Sequence, residues 1–236
     1  MSDVKDDFLR SVSHNLQTPL ARIRSNAEAL AAAAAATGAG AGGPGDRPDP
    51  RLTIIVDQAD RLSRMVHQLL LVSRLESQPL RPNADVLTIA PGVQRAWDAL
   101  AVADRALELD DGAAGWLAVA DGDQLDQVLW ALFDNAVKYG EGTVSVAIGV
   151  DAGARTLWTT ISDGGRGLDE ADRAWLFGRF ARGAAGQASG NGSGLGLYVS
   201  RALMRSMGGD LVLDPATAGR GATFRLTLPG EPAAEP

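Results

Sequence analysis

The chain has 236 residues, 45% hydrophobic and 22% charged, an ordinary balance for a globular protein of one large or two small domains. Twenty-two Lys and Arg against 29 Asp and Glu leave a formal charge of −7, and no basic stripe stands out, which argues against a nucleic-acid groove. The absence of cysteine excludes disulfides and thiolate metal sites, and two histidines, His14 and His67, are too few for a His-rich metal centre. No apolar run approaches the ~20 residues that span a bilayer, and Met1 to Asp7 lacks the apolar core of a signal peptide.

In chain order, apolar residues recur at Phe8, Val12, Leu16, Leu20, Ile23, Ala27 and Leu30, in steps of three and four that predict one helix. Ala31 to Ala36 can extend it, and the Gly-, Ala- and Pro-rich stretch from Thr37 to Pro50 ends it. A second stripe at Leu52, Ile55, Ala59, Leu62, Val66 and Leu69 runs out near Glu76, and Val56, Met65, Leu70 and Val72 widen it. Two such helices make an antiparallel hairpin. A hairpin cannot cover stripes this wide, so a dimeric four-helix bundle is expected, with some other helical partner as the alternative.

Pro79, Pro82 and Asn83 mark a boundary between a hairpin domain, 1–78, and a second domain, 79–230, with 231–236 as a disordered tail. In the second domain, strands are expected at Val86–Ile89, Ala106–Leu109, Trp116–Val119, Val144–Val150, Arg155–Ser162, Asp210–Leu213 and Ala222–Leu228. Helices are expected at Gln124–Tyr139, capped by Asp121 or Asp123, and at Leu195–Met207, stopped by Gly208-Gly209. Gly178 to Gly194 offers few anchors for fixed structure.

His14 sits off the centre of the first stripe, so its imidazole should reach solvent. A neutral imidazole is a nucleophile suited to phosphoryl transfer. Thr18 lies one turn further on the same face, where its hydroxyl can position a water or an acceptor, and Pro19 bends the helix just beyond. An exposed helical histidine alone is usually only a surface residue. The string Ser13-His14-Asn15-Leu16-Gln17-Thr18-Pro19-Leu20 resembles the phosphoacceptor box of sensor histidine kinases, S-H-E-L-R-T-P-L. Two positions depart from it. Asn15 stands where the family has an acidic base and cannot take a proton, and Gln17 replaces the arginine.

Further boxes follow in family order. Leu132-Phe133-Asp134-Asn135-Ala136-Val137-Lys138-Tyr139 resembles the N box. There an Asn135 amide oxygen suits Mg²⁺, Lys138 can meet a phosphate, and the Tyr139 ring can pack on the base. Ala131 stands where the family usually has another Asn. Asp163-Gly164-Gly165-Arg166-Gly167 resembles the first glycine box. Gly165 and Gly167 let a nucleotide approach the backbone, and the Asp163 carboxylate accepts from the exocyclic amine of adenine, which predicts ATP over GTP. Leu176-Phe177-Gly178-Arg179-Phe180-Ala181-Arg182 resembles the F box, with the two rings anchoring a lid and Arg179 or Arg182 meeting the γ-phosphate. Gly192-Ser193-Gly194-Leu195-Gly196-Leu197 resembles the second glycine box and opens a helix whose free N–H groups favour phosphate. His67 has no motif around it and reads as a surface or packing residue.

The resemblance covers nearly the whole chain. It implies an α+β multidomain protein, in which a helical hairpin (a dimeric four-helix bundle) precedes an α/β sandwich of the histidine-kinase/Hsp90-like, Bergerat type. The implied activity is Mg²⁺- and ATP-dependent phosphorylation of His14 and transfer to an aspartate of a response-regulator receiver domain, with Thr18 assisting the reverse, phosphatase reaction. A phosphatase-biased member or a non-catalytic ATP-binding adaptor is the alternative, because of Asn15, Gln17 and Ala131. The expected partners are a second copy and the regulator, with no nucleic acid and no membrane contact by this chain itself. The expected location is cytoplasmic, as the cytoplasmic portion of a longer sensor of a kind that can be membrane-anchored.

Overall fold

The computed structural model describes residues 16, 20–30, 32, 49–77, 80–102, 104–168, 170–181, 193–215 and 221–233. Two units partition the chain, Met1–Leu71 and Val72–Pro236.

In the first unit, residues 20–30 form helix α1, and Pro50–Ser77 forms α2, which continues past Leu71. Asp49 opens α2: its side chain accepts from Arg51 N at 2.9 Å and its carbonyl from Leu52 N at 2.8 Å. Arg51 Nη1 donates to the Ala29 carbonyl at 3.1 Å, which brings the start of α2 to the end of α1, as a hairpin requires. The wide stripe divides on folding. Ile55, Leu62 and Leu69 are half-buried, whereas Leu52, Val66 and Leu70 stay exposed, Leu70 at 56%, and Leu20 of α1 is 54% exposed. His67 lies within α2.

The second unit runs β1 (Asp85–Leu87), α3 (Ile89–Asp98), β2 (Leu107–Asp111), β3 (Trp116–Ala120), α4 (Gly122–Tyr139), β4 (Val144–Asp151), β5 (Thr156–Ser162), α5 (Glu170–Trp175), α6 (Gly196–Ser206), β6 (Asp210–Leu213) and β7 (Thr223–Pro232). The strands make one sheet in the order β1-β3-β7-β5-β4-β2, with β6 also on β7. One edge of β7 pairs β5 from Thr156↔Pro229 to Ser162↔Thr223. Its other edge takes β6 first (Leu213↔Phe224) and then β3 (Trp116↔Pro232). β2 runs parallel to β4.

Alternation along the strands selects one face. Val144, Val146 and Ile148, then Leu157 and Ile161, then Phe224, Leu226 and Leu228 are all buried, at the two-residue period of a strand. The helices bring their own apolar stripes: Val93 and Trp97 of α3, Leu125, Leu129 and Phe133 of α4, and Leu203 and Met204 of α6. A sheet covered by helices is the two-layer solution such faces demand.

Three elements differ from the sequence expectation. The segment read as a strand through Ile89 ends at Leu87, and Ile89 begins α3, whose Pro91 and Gly92 look like breakers. Pro91 is in the first helical turn, where its missing N–H has no partner to lose. The short α5 was not expected at all. β7 runs past Leu228 to Pro232 because β3 supplies a partner there, so Glu231 and Pro232 are strand rather than disordered tail.

Thr159 is fully buried in the middle of β5, and its hydroxyl has no hydrogen-bond partner among the described residues. Leaving such a group unpaired costs about 1–3 kcal/mol. Thr159→Val is therefore expected to stabilise the unit by roughly 1 kcal/mol, raising the urea midpoint with an unchanged slope. A lower midpoint would show that the hydroxyl is paired.

Candidate active site

Asp121 caps α4, its Oδ1 accepting from Gln124 N at 3.1 Å. With Leu125, Leu129, Leu132 and Phe133 turned to the core, helical spacing puts Ala131, Asn135, Lys138 and Tyr139 along another face. Asn135 is half-buried, Tyr139 is 40% exposed, and Lys138 pairs with Asp134 one turn earlier. Arg105 closes the helix. Its Nη1 donates to the Ala136 carbonyl at 3.0 Å and its Nη2 to the Gly140 carbonyl at 2.6 Å. The Ala136 carbonyl also accepts from Gly140 N at 2.9 Å, so the Arg105 cation adds a second bond at the helix end and opposes the dipole. No sequence signal marked Arg105, because it reaches α4 from 31 residues away.

Strand β5 delivers Asp163 to the same end of α4. Gly164 N donates to the Glu141 carbonyl at 3.0 Å, just past Gly140. Asp163 Oδ1 accepts from Gly165 N at 2.9 Å and from Ala222 N at 3.2 Å, while Gly221 N donates to the Asp163 carbonyl at 3.1 Å. Both side-chain bonds fall on Oδ1, so Oδ2 is the oxygen suited to an exocyclic amine. Gly221 is forced by proximity, since a Cβ there would lie 2.0 Å from Asp163 Oδ1. The sequence reading missed Gly221 and Ala222, which approach from the start of β7. Ser162 Oγ and Thr223 Oγ1 lie 2.9 Å apart beside them.

The F-box segment meets the second glycine turn. Gly194 has φ +69° and Phe180 has φ +58°, and a Cβ on Gly194 would lie 2.7 Å from Phe180 Cα. Ser193 Oγ accepts from Leu195 N at 3.2 Å, Leu195 is fully buried, and it offers α6 no side-chain cap. The first N–H groups of α6, from Gly196 on, therefore suit an anion. Gly165, Gly167, Ser193, Gly194 and Gly196 thus lie on two turns, of which the first abuts the end of α4 that carries Tyr139. The Arg179 guanidinium lies over the Tyr198 ring at 5.1 Å, and Arg201 lies over the Phe177 ring at 4.7 Å. Asp210 binds Arg201 at 2.9 Å and Arg205 at 3.0 Å. The Arg201 hydrogen bond holds the Asp210 carboxyl well below the usual carboxylate range, burial opposes this, and Arg205 adds to it. His14, Asn15, Thr18, Arg182 and Gly192 lie outside the described residues.

Residues 120–232 match the family of histidine kinase-, DNA gyrase B- and HSP90-like ATPases, and residues 4–78 match the His kinase A phosphoacceptor domain. The chain belongs to the sensor histidine kinases. The family and the α/β fold expected from the boxes are both borne out. Among relatives of this chain, sensor protein SrrB of Staphylococcus aureus (strain MRSA252) is 29% identical over 237 residues, covering 97% of this chain and 39% of that protein. The chain therefore spans about two fifths of that relative, 39% of its length. Acinetobacter baumannii histidine kinase AdeS has a similar structure, with TM-score 0.67 and 23% identity over 92% of this chain and 97% of that one. So does ShkA in complex with AMPPNP, at TM-score 0.64 and 22% identity over 78% of this chain and 39% of that one. The domain containing Asp163 is thus of the ATP-binding class.

Proposed function

We propose that this chain is the catalytic core of a two-component kinase that phosphorylates its own His14 from ATP and passes the phosphoryl group to a receiver aspartate. The observation that carries the reading is the Asp163 carboxylate, oriented by the Gly165 and Ala222 amides against the end of the Asn135 helix. An acceptor so placed suits the adenine amine and rejects the guanine carbonyl. The α6 N–H groups and Lys138, once exchanged from Asp134, would meet the phosphates.

The donor set fits magnesium. Among the described residues no three His, Asp or Glu side chains converge on a metal site, and Mg²⁺ is commonly held through one or two protein oxygens plus substrate phosphates. Asn135 would supply the protein oxygen, and the ion would neutralise charge on the phosphates. The His14 ring nitrogen attacks the γ-phosphorus in line. An N–P bond forms, the bond to the bridging oxygen breaks, and ADP leaves. The proton on the second ring nitrogen goes to solvent, since Asn15 is no base. A receiver carboxylate oxygen then takes the phosphoryl group, and Thr18 would position water for the reverse task. The exposed Leu20, Leu52, Val66 and Leu70 support pairing of two hairpins. The greater length of SrrB supports a longer sensor, with this portion on the cytoplasmic side; among the described residues no helix is long and apolar enough to cross a membrane.

Incubation with γ-labelled ATP and Mg²⁺ tests the proposal. Acid-labile label is expected on the parent chain and lost in His14→Ala and Asn135→Ala. Absence of label with ATP binding intact would transfer the reading to a phosphatase or adaptor, as Asn15, Gln17 and Ala131 would then explain.

A further inference from the structure

The segment before residue 182 and helix α6 exchange cations and rings. Arg179 of the segment lies on Tyr198 of the helix, and Arg201 of the helix lies on Phe177 of the segment. Tyr198 and Arg201 are three apart on α6, so both stacks form along one face. Arg201 is fixed from behind by two bonds to Asp210, Nε to Oδ1 at 2.9 Å and Nη2 to Oδ2 at 3.2 Å. Planar guanidinium suits this double task, one edge on a carboxylate and one face on a ring. The backbone contact of Phe180 with Gly194 lies at the same junction.

We infer that Arg201, anchored by Asp210 and stacked on Phe177, is a positioning residue that holds segment 177–181 against the second glycine turn. Through that segment it sets where Arg179 stands relative to the γ-phosphate, a consequence that rests on the proposed ATP site. Arg201 itself need touch no nucleotide. The stack on Tyr198 keeps the Arg179 cation beside the α6 N-terminus.

Amide hydrogen exchange on the full chain without nucleotide reads the clasp directly. Gly178 N donates to the Trp175 carbonyl at 2.7 Å and Ala181 N to the Gly178 carbonyl at 3.3 Å, and both report on the segment. Val199 N and Gly209 N, bonded to Leu195 and Met204, report on α6 itself. Arg201→Met is expected to speed exchange at Gly178 and Ala181 about tenfold, the size of a lost charged stack and hydrogen bond, with Val199 and Gly209 unchanged. Arg201→Lys should recover part of that protection. With Mg²⁺, Arg201→Met should also lower the ratio of ATP to ADP affinity by about tenfold, because ADP lacks the group the segment would meet. Unchanged exchange at Gly178 and Ala181 would overturn the inference. So would equal acceleration at Val199 and Gly209, which marks a general loosening, or an ATP to ADP ratio that stays put. A chain that bound no nucleotide would remove the proposed function, yet the exchange comparison would still decide the clasp.

Discussion

Gly221→Ala is expected to weaken ATP binding by about a hundredfold or more, measured by titration calorimetry with Mg²⁺ present. The added Cβ would stand 2.0 Å from Asp163 Oδ1, 2.4 Å from the Asp163 carbonyl oxygen and 2.6 Å from Gly165 N. Two of these atoms are backbone, so no side-chain rotation relieves the clash. Asp163 must shift, and its carboxylate loses the two amides that aim it. A charge-assisted hydrogen bond lost inside a pocket accounts for about 1.5–3 kcal/mol, and the amine left facing nothing adds its own desolvation. Asp163→Asn separates geometry from folding. Its amide keeps an acceptor for Gly165 N and Ala222 N but turns a donor toward the adenine amine, so ATP binding should fall as far with little change in Tm. Gly122→Ala is the control, since the nearest atom to its new Cβ is Leu87 Cδ2 at 3.7 Å, and it should bind ATP normally. Binding by Gly221→Ala and Asp163→Asn within threefold of the parent would show that Asp163 is not the adenine partner.

The parts of this site that sequence revealed are those carried by short contiguous strings. Asn135, Lys138 and Tyr139 fall on one face of α4 because helical spacing puts them there, and a helix with six buried apolar residues is strongly patterned. Asp163 and Gly165 lie two apart on one turn, so their hydrogen bond was implicit in the string. What stayed hidden is held by pairs far apart in the chain. Ala222 reaches Asp163 from 59 residues away, Arg105 reaches Gly140 from 35, and Ser162 meets Thr223 across 61. No periodicity reports a contact of that range; the β5–β7 register, Ser162↔Thr223, creates the first and the last of them. Helix α3 was missed for a different reason. Its Gly92 looks like a breaker, yet a Cβ there would lie 3.2 Å from Asp126 Oδ1, so the residue serves the close passage of α3 over α4. The ring-and-cation clasp was half visible: Phe177 and Arg179 were marked, and their partners Tyr198 and Arg201 were not.

Phe133→Ala is expected to destabilise the ATP-binding unit by about 3–5 kcal/mol, and bound ATP is expected to return part of that. Phe133 is fully buried, and its ring meets Trp97 of α3 edge to face, with centroids 5.6 Å apart and planes at 77°. Truncation removes apolar contact, leaves a cavity that α3 and α4 cannot wholly close, and forfeits an aromatic pair that contributes roughly 1 kcal/mol beyond its area. Set against the roughly 5–15 kcal/mol that stabilises a typical domain, this takes the unit close to its folding threshold. Urea unfolding followed by Trp fluorescence should show a midpoint lower by more than about 1 M. Phe133 is two residues from Asn135 on the same helix, so the core and the site share one rigid element. Ligand that binds only the folded unit stabilises it by about 2.7 kcal/mol at a hundredfold excess over Kd. Saturating Mg²⁺·ATP should thus raise the midpoint of Phe133→Ala and fail to raise that of Phe133→Ala combined with Asp163→Asn. If ATP lifts both equally, the nucleotide is held somewhere that does not need Asp163. If Phe133→Ala alone costs under about 1 kcal/mol, the gap between α3 and α4 has closed, and the Trp97–Phe133 contact does not set the position of the Asn135 helix.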